Sequence, residues 1–210
     1  MNRKSPLVVV VFGSPGSGKS ETVAELAKLL NCAAIAEPTA RLVSSGLLAR
    51  LCVGDAVGYE TQMLMMAERA ASYWEAGARV GELVVLDGHL SLDVLIFPEV
   101  HARRGVLSDD DGERLVLAYD RAVLDVPAWA NDVFLYVYLR PGAAESHRRS
   151  SELRRRVEER ALRPLDFELF ERACDACAKQ LYDDDERLLV LDTSAMSVDA
   201  VAARVAEELL

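Results

Sequence analysis

Residues 7–20, Leu7-Val8-Val9-Val10-Val11-Phe12-Gly13-Ser14-Pro15-Gly16-Ser17-Gly18-Lys19-Ser20, join a continuous apolar run to G-x-x-x-x-G-K-S. The run reads as a buried strand, and the amphipathic stretch after it, from Glu21 to Leu30, reads as a helix. Between them, glycines 13, 16 and 18 let backbone N–H groups converge on phosphate oxygens with no Cβ in the way. The helix opening near Lys19 points its positive end at the same anion. Gly13, Ser14, Pro15, Gly16, Ser17, Gly18, Lys19 and Ser20 are therefore expected to cradle a nucleoside triphosphate. In that cradle Lys19 reaches the terminal phosphates and the Ser20 hydroxyl ligates Mg²⁺.

Composition bounds the rest. A chain of 210 residues, 51% hydrophobic and 28% charged, suits one globular domain, 1–210, with a sizeable core. The net charge of −10 argues against a nucleic-acid partner, which would need a basic face. No apolar run approaches a bilayer span, and the six-residue run at 7–12 is short for a secretory leader. A cytoplasmic protein is expected, with no membrane partner. Cys174 and Cys177 form a C-x-x-C inside a helical pattern with no second pair nearby, so they read as buried or half-buried thiols.

Five short apolar runs, 7–12, 33–36, 83–86, 133–139 and 188–191, alternate with periodic stretches near 19–30, 39–52, 59–77, 92–104, 109–124, 141–160, 164–182 and 197–210. The alternation predicts an α/β fold, a five-stranded parallel sheet flanked by helices. Pro141 and Pro164 are read as first-turn helix prolines. Ligands of such sheets gather beyond the carboxyl ends of the strands. That places the loop 13–20, Glu37-Pro38, Asp87-Gly88-His89, Arg140 and Asp192-Thr193 at the candidate site. Glu37, held extended by Pro38, can take a proton from an attacking hydroxyl, or can simply sit as a charge at a helix N-terminus.

Further residues separate these readings. The Glu37-Pro38 pair, Gln62 in Glu60-Thr61-Gln62-Met63, Arg69 seven residues later, Asp93 beyond the third strand, and Tyr138-Leu139-Arg140 together resemble the deoxynucleoside kinases nearly end to end. These are the P-loop kinases that include the deoxycytidine, deoxyguanosine and insect deoxynucleoside enzymes. The resemblance implies the P-loop kinase fold and ATP with Mg²⁺ as cofactors. It implies Glu37 as general base on a deoxynucleoside 5′-hydroxyl, and Gln62, Arg69 and Asp93 on a purine or cytosine base. It also implies an arginine-rich helical lid at about 148–163, with Arg154 and Arg156 on the transferred group and Arg160 on the triphosphate. Most of the seven arginines in 148–163 are expected to pair along a solvated helix face. A homodimer through 92–104 and 109–124 is implied as well.

Two departures stand out. The family ends its third strand in acidic-Arg-Ser, whereas this chain has Asp87-Gly88-His89. Asp87 is retained for Mg²⁺, and His89 or a lid arginine is expected to compensate for Gly88. Leu51 stands where the family has a tyrosine for the sugar and Leu42 where an aromatic is common, leaving Glu159 and Tyr59 as sugar-side candidates. The competing readings are a thymidylate-like monophosphate kinase and a P-loop nucleotide-binding module with reduced turnover.

Overall fold

The run Leu7–Phe12 forms the central strand β1, and Val8, Val9, Val10 and Val11 are wholly buried, as a strand covered on both faces requires. The computed structural model of the chain describes residues 5–77, 81–153 and 158–209. From β1 the chain passes through α1 (Lys19–Leu29), β2 (Ala33–Ile35), α2 (Ala40–Ser44), α3 (Leu47–Val53) and α4 (Gly58–Ala76). Next come β3 (Leu83–Asp87), α5 (Leu90–Leu95), α6 (Phe97–Arg103) and α7 (Asp109–Asp125). The chain closes with β4 (Val133–Arg140), α8 (Ala143–Arg148), α9 (Pro164–Asp183), β5 (Leu188–Asp192) and α10 (Val198–Glu207). All strand pairs are parallel, in the order β2-β3-β1-β4-β5, so the expected α/β sheet is present.

The two-residue period of β1 sorts the core. Val8, Val10 and Phe12 face one layer with Tyr73 of α4, Leu90 of α5 and Phe167 of α9. Val9 and Val11 face the other layer with Val23 of α1 and Val205 of α10. Among the described residues no helix is long and apolar enough to cross a membrane.

Four helical expectations need correction. The stretch 39–52 is two helices, because Gly46 adopts φ 75° and breaks the rod between α2 and α3. The stretch 92–104 divides at Ile96, where Pro98 enters the first turn of α6 without an N–H to offer. Pro141 does not start a helix: Gly142, at φ 85°, intervenes, and α8 begins at Ala143. Beyond α8 the described residues form a π-helical turn, Arg149–Leu153, and a 3₁₀ turn, Glu158–Ala161, neither of them α-helical. Pro164 does open α9, whose first turn is closed by Asp166 Oδ2 accepting from Arg163 N–H at 2.7 Å. Cys174 and Cys177 are buried on α9, where burial pushes the Cys177 thiol up to about 12.

Candidate active site

The phosphate loop runs from the end of β1 to the start of α1. Gly16 and Gly18 take φ 78° and 94°, conformations that glycine adopts without strain. A Cβ on Gly13 would sit 2.5 Å from the Leu139 carbonyl oxygen, and one on Gly16 would overlap the Ser146 carbonyl oxygen of α8. The loop and α8 are thus packed backbone to backbone, and Ser14 and Ser146 share a buried 2.8 Å hydrogen bond. Gly16→Ala is expected to cost more than about 1 kcal/mol and to weaken ATP binding, because the loop must shift. A denaturant midpoint and an ATP titration check this; unchanged values in both would contradict it.

Lys19, nearly buried, donates from Nζ to the Gly13 and Ser14 carbonyl oxygens, each at 3.0 Å, and so is held over the mouth of the cradle. Ser20 Oγ donates to Asp87 Oδ2 at 2.6 Å across the β1–β3 pairing. The other oxygen, Asp87 Oδ1, is buried without a hydrogen-bond partner. Burial, then the charge of Glu37, push the Asp87 carboxyl up, while Lys19 and the Ser20 hydrogen bond oppose them. An orphaned carboxylate oxygen beside a hydroxyl, with a second carboxylate in range, fits a hard divalent cation shared with phosphate.

Glu37 stands two residues past β2 and, with Lys19, lines two adjoining cavities. The larger, about 80 Å³, also takes in Gln62 and Thr61 of α4, Leu42 of α2, Leu51 of α3 and Phe170 of α9. The smaller, about 20 Å³, takes in Arg69, Gly88 and Asp93. Glu37, Gln62, Arg69 and Asp93, distant in sequence, therefore converge beside the cradle.

Arg69 and Asp93 are paired with each other. Nε donates to Oδ2 at 2.9 Å and Nη2 to Oδ1 at 3.2 Å, with side chains 3% and 0% exposed. Burial works against the Arg69 charge, but the Asp93 carboxylate, with Tyr73 and Glu37 adding to it, holds the guanidinium pKa above its ordinary value. Nη1 donates to the Asp87 carbonyl at 2.9 Å, and both terminal nitrogens lie 3.2 Å from where a Cβ of Gly88 would stand. The space beside Gly88 is thus occupied by Arg69.

His89 does not supply the compensating donor expected of it. Its Nε2–H donates to the Ala130 carbonyl at 2.7 Å, Nδ1 accepts from Ser91 N–H at 3.2 Å, and the ring stacks on Tyr73. The turn at Gly88, φ 77°, swings the imidazole into the core instead. Tyr59 packs beneath the Arg114 guanidinium, 5.6 Å from the ring centroid, and lines neither cavity. Arg154, Arg156 and the side chain of Glu159 lie outside the described residues. Arg148 pairs with Glu145 and Glu152, and Arg163 pairs with Asp166. Arg149 pairs with Glu145 and also donates to the Thr193 carbonyl at 2.8 Å. Arg160 belongs to the 3₁₀ turn Glu158–Ala161, next to the cavity-lining Leu162.

His101 and Arg104, both lining the larger cavity, were not singled out from the sequence. Arg104, at the end of α6, donates to the Leu51 and Cys52 carbonyls at 3.0 Å and pairs with Asp166. His101 stands one turn earlier, 1% exposed, with Nε2 3.0 Å from Gln62 Nε2. A lone histidine on an amphipathic helix reads as core, and only the facing glutamine reveals more.

Burial, then Arg104, push the His101 imidazole down to about 3; burial above all takes His89 to about 4. Folded-state values below the unfolded 6.5 mean that the unfolded chain binds the proton first. These rings add stability above pH 6.5, and it is lost as pH falls from 6.5 towards 4, at up to about 1.4 kcal/mol per unit for each ring. His101→Leu is expected to lose less stability than the parent chain between pH 6.5 and 5, by denaturant midpoints; equal losses would contradict the assignment.

A family model described as deoxynucleoside kinase matches residues 9–208. Among curated proteins none matches the chain. Solved structures of a deoxyadenosine kinase from M. mycoides share the fold. The form with the products dCMP and a flexible dCDP superposes with a TM-score of 0.78 at 22% identity, over 97% of this chain and 98% of that one. The form with bound dATP gives 0.80 at 20% identity, over 97% and 99%. The form with bound dCTP gives 0.77 at 20% identity, over 97% and 98%.

Proposed function

Because the chain belongs to the deoxynucleoside kinase family, we propose that it transfers the γ-phosphoryl group of ATP to the 5′-hydroxyl of a deoxynucleoside, with adenine, cytosine or guanine preferred over thymine. The carrying observation is that Glu37 and Lys19 line one cavity with Gln62, so a base, an acceptor hydroxyl and the end of a triphosphate have adjoining places. In this reading the Glu37 carboxylate takes the 5′-hydroxyl proton as the oxygen attacks the γ-phosphorus, and the bond to the bridging oxygen breaks to release ADP. Lys19 moves from the loop carbonyls to the terminal phosphate oxygens and offsets their charge. Ser20 and Asp87 would hold Mg²⁺, which would supply positive charge against the triphosphate. Arg154 and Arg156, with Arg160, complete the reading as cations over the transferred group.

Gln62 reads the base edge, and the Arg69–Asp93 pair closes the far wall. The structurally similar proteins hold dATP, dCTP and dCMP, adenine and cytosine nucleotides, which agrees with this preference. The 80 Å³ cavity is smaller than the roughly 300 Å³ at the low end of small-molecule sites, so a nucleoside must part its walls. Leu42 of α2, Leu48 and Leu51 of α3, and Leu162 just past the 3₁₀ turn are among the walls that short segments supply. A monophosphate acceptor is disfavoured, since each unit of its negative charge would meet Glu37 at a cost of order 1–4 kcal/mol at 4 Å. A homodimer through the α6 and α7 region is part of the proposal, supported by Leu117 and Leu124, which leave apolar side chains exposed on α7.

ADP release with ATP-Mg²⁺ and a panel of deoxynucleosides, then their monophosphates, tests this. Turnover on deoxynucleosides with thymidine weakest is expected. Turnover only on monophosphates, or on nothing, would overturn it.

A further inference from the structure

Two buried polar atoms at the base end of the larger cavity have no hydrogen-bond partner, Gln62 Oε1 and His101 Nδ1. The residues that carry them touch each other: Gln62 Nε2 lies 3.0 Å from His101 Nε2. An amide nitrogen only donates, so the imidazole Nε2 must accept and the proton of the neutral ring resides on Nδ1. The ring is not free to change roles. Phe97 packs against it at 5.9 Å between centroids, and burial, then the Arg104 charge one turn away, disfavour a second proton. His89 carries the opposite tautomer, because its Nε2–H donates to the Ala130 carbonyl.

We propose that His101 pins the side-chain amide of Gln62 in one orientation and thereby makes the pocket select bases whose exocyclic group is an amine, adenine and cytosine, against the keto bases guanine and thymine. A glutamine left to rotate can present acceptor-then-donor or donor-then-acceptor, and so reads both classes of base equally well. With one N–H committed to His101, the amide keeps Oε1 at its free end and one N–H beside it. An exocyclic amine meets Oε1, and the unprotonated ring nitrogen next to it meets the remaining N–H. In thymine and guanine the exocyclic group is itself an acceptor and would face Oε1, leaving two buried acceptors opposed. The substrate part of this inference rests on the nucleoside kinase reading and narrows its three preferred bases to two, removing guanine; the pinned amide and the tautomer do not rest on it.

Nitrogen-resolved NMR of the three histidines, with His101→Leu to assign the signal, tests the pin directly. The Nδ1–H tautomer is expected at His101 and the Nε2–H tautomer at His89; an Nε2–H tautomer at His101 would overturn the proposal. Selectivity is read as the ratio of kcat/KM for deoxyadenosine over thymidine and for deoxycytidine over thymidine. In the parent chain each is expected at about tenfold or more, as when a mismatched base leaves a site's polar groups unpaired. In His101→Leu both should fall to within about threefold of unity. His101→Gln, whose amide oxygen can again accept from Gln62, should restore much of the discrimination. Folded His101→Leu with unchanged ratios would overturn the proposal, as would a parent chain that favours thymidine. If the parent chain phosphorylates no nucleoside, the kinase reading fails by itself, and the tautomer still decides whether Gln62 is pinned.

Discussion

Glu37→Gln is expected to lower kcat by about 10²- to 10⁴-fold, the range a positioned general base supplies. The amide keeps the size and hydrogen-bonding reach of the side chain but cannot take a proton at neutral pH. Glu37 follows β2 beside the phosphate loop and shares both cavities with Lys19, so the loss should fall on the chemical step. ATP affinity should stay within a few-fold, since the loop itself is untouched. Single-turnover transfer from labelled ATP separates the two effects. A variant with near-normal kcat would remove Glu37 from the chemistry and leave it the charge at the helix N-terminus that its position also allows.

The second large effect is on stability. Asp93→Leu should destabilise the fold by about 3–5 kcal/mol, because it leaves the Arg69 guanidinium buried without its partner. For a chain of this length that amounts to a fall in Tm of about 6–20 °C. Arg69→Met with Asp93→Leu should recover much of the loss, as exchanging a whole buried pair for apolar groups is often near neutral. Thermal unfolding of both variants checks this. A single variant within about 1 kcal/mol of the parent would mean that water reaches Arg69 when Asp93 is gone. The double variant should still bind ATP and fail on the nucleoside, which ties the pair to the base side of the pocket.

The strands and the cradle were legible because each rests on a local pattern. Five apolar runs between turn residues, 33–36 among them, matched the strands to within one residue at either end. The glycines of 13–20 announced themselves because no other residue tolerates the contacts of Gly13 and Gly16. Helix breaks were harder to see. Apolar periodicity runs straight through Gly46 and Ile96, and only the backbone turn at the first and Pro98 after the second end the rods.

The site was legible as a set of residues, but not in the direction of each side chain. Arg69 and Asp93 are 24 positions apart, and spacing alone did not disclose that they bond to each other rather than wait for a ligand. His89 stands two residues past Asp87 in the chain, yet the positive φ of Gly88 turns it into the core. His101 carried no motif; its meaning depends on Gln62, 39 positions away, and emerges only when α4 and α6 pack together.

The central claim is that the acceptor is an alcohol held between Glu37 and the phosphate loop. Phosphorus NMR of the reaction with ATP-Mg²⁺ and deoxyadenosine tests it most directly, because it identifies the new bond. A single new monoester resonance split by the two 5′ protons, growing as ADP appears, is the predicted result. Free inorganic phosphate alone, or a new signal only when deoxyadenosine monophosphate replaces the nucleoside, would contradict it.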